Sequence, residues 1–194
     1  EWYYAQPWCD GNIGRTSCSY RGINQIILLS TNPPHLKACF AGCHDFDKYA
    51  SFYEGGIYQD VRWMGWGDII QVGDMLLDGV RPVDADVDAD DSGYPDMLEE
   101  AVAQHADNPN QGITWEGLPY RNMWSEDLSS FYWIESCVAN YIMEIENTDV
   151  PIYLYGGYWD PFATVQYKEY VSLDNALKVT HTPQGHCGFG GPGL

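Results

Sequence analysis

Arg15-Thr-Ser-Cys-Ser-Tyr-Arg-Gly22 places two serines and a cysteine within three residues, on a short polar turn. Before it stands Asn12-Ile-Gly14, read as part of a short strand near 12–16. After it runs "INQIILLS", Ile23–Ser30, which continues as a helix. Strand, sharp turn with a small nucleophile, then helix is the order of a nucleophile elbow. Small flanking residues let the strained turn form, and the helix N-terminus favours developing negative charge. Small residues are wanted two before and two after the nucleophile. Ser17 would stand between Arg15 and Ser19, and Cys18 between Thr16 and Tyr20. Ser19 has Ser17 before it, which fits, and Arg21 after it, which does not. At this point a serine that only caps the helix has equal weight.

Further along, Asn32-Pro-Pro34 stops the helix and Leu36–Ala41 follows as a buried strand. The same logic returns near the end of the chain. Pro151-Ile-Tyr-Leu-Tyr155 reads as a strand that breaks at Gly156-Gly157, with a helix around 162–173 and a strand at 177–181. Alternating strand and helix predicts the α/β class, a mostly parallel sheet with helices on both faces. The middle is rich in Trp, Gly and Asp and lacks the alternation. Its helix candidates are 63–77, 94–105 and 129–143. The expected organisation is therefore a first α/β part at 1–44, an inserted helical lid at 45–147, and a second α/β part at 148–194.

The far end bears on the opening question. "YGGYWDPF" puts Asp160 on the loop after a strand, and "THTPQGHCGFGG" puts His186 on a Gly-rich loop after the next one. Ser19, Asp160, His186 is the chain order of α/β-hydrolase triads, each member just past the C-terminal end of a strand, where a parallel sheet presents its ligands.

"QPWCDGNIGRTSCSYRGINQ", with "NPPHLKA" after it, resembles the cocaine-esterase-like (CocE/NonD) acyl hydrolases, relatives of the X-Pro dipeptidyl-peptidases. That family carries a Q-P-W segment, an elbow G-x-S-Y-x-G and P-P-x-L-K-A on the next strand, and it accepts a large residue where this chain has Arg21. "GGYWDPF", "TPQGHCG" and "PVDADVDADDSGYPDMLEEAVAQHADNP" are similar to its acid loop, histidine loop and lid segment. The resemblance implies an α/β-hydrolase with Ser19 as nucleophile, Asp160 as triad acid, His186 as base and the Tyr20 backbone N–H as an oxyanion donor. Trp63, Trp66 and Trp159 are candidates for an apolar acyl pocket, the first two equally for packing within the lid. The resemblance also implies strands and an oxyanion-hole tyrosine before residue 1 and a jelly-roll domain after residue 194, so the chain reads as the central portion of a longer protein. The family has glycine where Ser17 stands, and Ser17 is expected to be buried with the elbow keeping its shape.

Composition narrows the partners. The 28 Asp+Glu against 9 Lys+Arg give a formal charge of −19, which repels nucleic acid and anionic membranes. With 8 Trp and 15 Tyr the chain is no disordered segment. The expected ligand is a small acyl ester or amide, with no cofactor required and a homo-oligomer left open. Cys39-Phe-Ala-Gly-Cys43 has no second pair at zinc-finger distance. Buried thiols with one disulfide at most are expected, and the compartment stays open with a lean to cytoplasmic. Asp88, Asp90, Ser92, Asp96 and Glu99, with Gly93, match the spacing of a calcium loop, against which stand Arg81-Pro82 before it and Pro95 within it. Three readings follow: a serine hydrolase of acyl esters or amides, an X-Pro dipeptidyl-peptidase (for which no anchor for a free α-amine is identifiable), and a catalytically silent, calcium-stabilised interaction module.

Overall fold

The computed structural model describes residues 2–74, 97–175 and 177–188. They fall into two compact units, Glu1–Ser51 with Tyr132–Leu194 in the first and Phe52–Phe131 in the second. The second unit is shorter at both ends than the segment 45–147 marked out by composition, because 45–51 and 132–147 pack with the sheet.

The first unit is built on a four-stranded sheet of β1 (Ile13–Cys18), β2 (Leu36–Gly42), β5 (Ile152–Gly157) and β6 (Leu177–Thr182), in the order β1-β2-β5-β6. Every pairing is parallel. All four C-terminal ends therefore lie along one edge. Helix α1 (Tyr20–Ile27) buries Ile23 and Ile26 and leaves Arg21 and Asn24 in solvent, the stripe expected of an amphipathic helix. It packs on β1 and β2, while α8 (Ala163–Ser172) packs on β5 and β6. Ile26, Leu29, Ala41, Leu154, Val138 and Ile145 are fully buried between these layers. At roughly 1.5–3 kcal/mol for burying each large aliphatic side chain, this core rather than helix propensity holds the unit together. A parallel sheet with crossover helices, ending on a strand–turn–helix elbow, is the α/β-hydrolase architecture.

Three sequence expectations are corrected. β5 continues through Gly156-Gly157 instead of breaking there, as both glycines pair with β6. The single helix expected at 129–143 is broken into α6 (Tyr132–Glu135), a 3-10 turn at Val138–Tyr141 and α7 (Ile142–Glu146). Cys137 is extended (φ −103°, ψ 120°), and side chains take over the carbonyls: Ser136 Oγ donates to Tyr132 O, Asn140 Nδ2 to Ile134 O and Tyr141 OH to Glu135 O. Such local side-chain bonds compete with the helical ladder. Ser17 is half-buried rather than buried, as β1 stands at the end of the strand order.

The second unit begins at Phe52, the last residue of α2 (Lys48–Phe52), and continues into a hairpin of β3 (Tyr53–Glu54) and β4 (Ile57–Tyr58), turned on Gly55 and Gly56 at φ 63° and 85°. Then follow α3 (Asp60–Asp74), α4 (Met97–His105) and α5 (Gln111–Glu116). The interior is aromatic. Phe52 stacks on Trp63 at 3.8 Å between centroids and meets Trp115 edge-on at 4.9 Å. Tyr53 OH donates to the Trp115 and Glu116 carbonyls, and Tyr58 OH to that of Gly112. The expected helix 63–77 is thus observed at 60–74, and residues 75–77 lie outside the described ones. No described helix is long and apolar enough to cross a membrane.

Candidate active site

Ser19 is the last residue before α1, at φ 62° and ψ −140°, a strained conformation for a residue with a side chain. Its N–H donates to Gly42 O at 2.9 Å, tying the turn to the end of β2. Gly22 lets α1 approach that strand end, since a Cβ there would lie 2.7 Å from Gly42 O. Among the described residues the Ser19 side chain makes no helix-capping bond. Its Oγ instead lies 2.9 Å from His186 Nε2. Cys18, its neighbour, is joined in a disulfide to Cys187. The opening stretch therefore has one hydroxyl at a base and one sulfur already bonded.

His186 stands on the loop after β6. Its Nδ1 is 2.7 Å from Asp160 Oδ2, so the carboxylate fixes the tautomer that donates there and leaves Nε2 to accept from Ser19. Asp160 follows β5, and its Oδ1 accepts the Phe162 N–H at 2.7 Å. Burial alone would raise the Asp160 pKa. The hydrogen bonds from His186, the Phe162 N–H and the Cys43 thiol outweigh it and hold the carboxyl below its ordinary value. The histidine loop lies directly on the acid loop: Trp159 N–H donates to Gln184 O and Tyr158 N–H to Thr182 O. Gly157 makes this possible, since a Cβ there would collide with the Gln184 carbonyl. Tyr155 OH donates to Gly188 O at 2.9 Å from beneath.

The other expected site residues are placed as follows. The Tyr20 N–H is at the first position of α1, where a helix leaves its amides without intrahelical partners. Trp63 is buried in the core of the second unit against Phe52, which makes it packing rather than pocket wall. Trp66 and Trp159 are exposed, Trp159 at 80%. Asp88, Asp90, Ser92 and Asp96 lie outside the described residues, and of Glu99 only the backbone, within α4, is described. Donors close enough to share one ion, among the described residues, are Cys18, Cys43 and Cys187, or Cys43, Asp160 and His186.

Sequence reading missed the support under the site. His44 is fully buried, with Nε2 2.7 Å from Glu169 Oε2. Gln166 Nε2 reaches its Nδ1 at 3.3 Å and the Tyr155 carbonyl at 3.1 Å. Burial would push the His44 pKa down, but Glu169 outweighs it and holds the ring above the ordinary histidine value. Gln166 and Glu169 are about one helical turn apart on α8 and both are buried.

The model of the X-Pro dipeptidyl-peptidase (S15) family matches residues 1–188. The chain belongs to that family. Two solved structures are similar: a hydrolase from Oleispira antarctica at 10% identity and TM-score 0.42, covering 90% of this chain and 58% of that one, and a hydrolase from Pseudomonas aeruginosa at 12% identity and TM-score 0.34, covering 85% and 54%. This chain spans just over half the length of those structures. No curated protein matches it. The family is one of hydrolases.

Proposed function

We propose that the protein is a serine hydrolase that cleaves acyl esters or amides through an acyl-enzyme. The observation that carries the reading is the unbroken pair of hydrogen bonds from Ser19 Oγ to His186 and on to Asp160, at 2.9 and 2.7 Å. Ser19 Oγ attacks the acyl carbonyl carbon while His186 Nε2 takes its proton. Asp160 orients the ring and stabilises the imidazolium. The oxyanion forms at the N-terminus of α1, where the Tyr20 N–H donates to it. A single donor of this kind is worth about 100- to 1000-fold in turnover. Collapse breaks the bond to the leaving group, which departs with the proton held by His186. Water then repeats the sequence and frees Ser19. No metal or organic cofactor enters these steps.

A fluorophosphonate probe tests the reading on the protein in its full natural length. Labelling at Ser19, abolished in Ser19→Ala, is the expected result. No labelling of the folded protein would favour the silent interaction module.

Membership of the X-Pro dipeptidyl-peptidase family favours a second reading within the same chemistry. Parallel assays with a short-chain aryl ester and with an Xaa-Pro aryl amide bearing a free α-amine separate the two. Cleavage of the ester alone supports the CocE/NonD-like acyl esterase, and a dominant amide activity supports the peptidase.

A further inference from the structure

Ser19 and His186 come from opposite ends of the strand order: Ser19 follows β1 and His186 follows β6, with β2 and β5 between. Three inter-strand spacings of about 4.8 Å separate those strands, so the histidine loop must return roughly 14 Å across the sheet edge to reach the serine. Its hydrogen bonds step back across that edge strand by strand, ending with His186 Nε2 at 2.9 Å from Ser19 Oγ. Gln184 O is held by Trp159 N–H and Gly188 O by Tyr155 OH, both from β5 or the loop that follows it. Cys187 N–H reaches Cys43 Sγ, just past β2, at 3.2 Å. The covalent tie across the span to β1 is the disulfide from Cys187 to Cys18, whose Cα atoms are 6.0 Å apart and which are 169 residues apart in the chain. The bond thus joins the residue before the nucleophile to the residue after the base. Cys187 itself, Ser19 next to Cys18, and the nearby Cys43 all have positive φ (54°, 62° and 45°), conformations that persist only where the surroundings enforce them.

We infer that the Cys18–Cys187 disulfide is a positioning device for this site: it holds His186 against Ser19, and its reductive cleavage by a dithiol turns hydrolysis down reversibly. The inference rests on the hydrolase reading above. In the cleavage, one thiolate of the dithiol attacks the Sγ of Cys187, the less buried of the two residues, breaking the S–S bond and forming a mixed disulfide. Cys18 leaves as a thiolate, beside the N-terminus of α1 that favours its charge, and takes up a proton. The second sulfur of the dithiol attacks the mixed disulfide, and Cys187 leaves and is protonated. Two electrons and two protons pass to the protein, and the dithiol ends as a disulfide. Cys43 lies within reach of both sulfurs but does not compete. Burial, with the Asp160 carboxylate beside it, pushes its thiol up to about 12, so it stays protonated.

The test compares the air-oxidised protein, the same protein after dithiothreitol, the reoxidised protein and Cys187→Ser. Fluorophosphonate labelling is followed against probe concentration, and hydrogen exchange in the segment 182–188. A displacement of about 1 Å is enough for ~100-fold in such a site. Reduction is therefore expected to lower the limiting labelling rate at least ten-fold, leave probe affinity near its starting value, accelerate exchange in 182–188 and be undone by reoxidation. Cys187→Ser should match the reduced protein and ignore dithiothreitol. Equal labelling of oxidised and reduced protein overturns the inference and leaves the hydrolase reading standing, as does finding both sulfurs free in the oxidised protein. If the oxidised protein does not label at all, the hydrolase reading fails. Exchange then decides the remainder, and an unchanged 182–188 overturns the positioning role too.

Discussion

The two units keep their interiors together by different means. In the α/β unit, buried polar groups are interlocked: His44 with Glu169 and Gln166, and Asp160 with His186 and the Phe162 N–H. In the Phe52–Phe131 unit the interior is a cluster of rings, Phe52, Trp63 and Trp115. A hydrogen bond fixes distance and direction and fails when either is lost. Ring packing fixes area and tolerates a slide. A reacting oxygen must be placed to within tenths of an ångström, and the polar unit is the one that holds Ser19.

The contrast can be broken at the acid. Asp160→Asn preserves shape but no longer enforces the histidine tautomer, and it is expected to slow Ser19 labelling by about 10⁴-fold with the unfolding midpoint little changed. A loss under ten-fold would show that direction matters less here than claimed.

The next largest effect is expected beneath the site. Glu169→Leu leaves His44 buried without its counter-charge and should destabilise by about 3–5 kcal/mol in urea unfolding, whereas His44→Leu combined with Glu169→Leu should recover most of it. A double variant as unstable as the single would mean packing, not charge, is at stake. The pair also sets a pH dependence. The folded His44 pKa stands above its unfolded 6.5, so its contribution is complete below that value and lost as pH rises through the folded one. Asp45, pushed up to about 6 by burial, acts in the same sense between its ordinary 3.8 and that value. Urea midpoints should fall from pH 5 to pH 8, and less steeply in Glu169→Leu.

In the aromatic unit a comparably conservative change should be mild. Trp115→Phe trims part of the ring system and is expected to cost about 1–2 kcal/mol, the transfer and cavity cost of a partial truncation. A cost near that of Glu169→Leu would erase the distinction between the units. The smallest effect belongs to Asn110, whose side chain accepts from the Gly112 and Ile113 N–H groups at the start of α5. Asn110→Ala should cost ~1 kcal/mol, read as a small shift in the same titration.

What could be read in the sequence follows the same division. The elbow and the parallel strands were legible since backbone geometry demands particular residues there: Gly22 under α1 and the prolines after Asn32. The order Ser19, Asp160, His186 was legible because each had to follow a strand. Spacing does not determine which cysteines pair, so Cys18–Cys187 stayed hidden. Glu169 looked like any surface acid of a helix. The break at Cys137 was concealed in Ser136, Asn140 and Tyr141, which a periodicity count treats as ordinary helical residues. The Gly55-Gly56 turn of the small hairpin is a readable signal between Tyr53 and Tyr58.

The glycine pair that ends β5 decides how this site can be diversified. A methyl at Gly157 runs into the Gln184 backbone, and one at Gly156 runs into Gln166 and the His181 ring. Random libraries across the acid loop should therefore return almost no functional clones with either position changed. Tyr158 and Trp159, at 60% and 80% exposure, are the next two residues and have room for side chains other than proline, which would remove the N–H groups that hold the histidine loop. Laboratory selection for new substrates has its freedom there, one residue beyond the point where the chain has none.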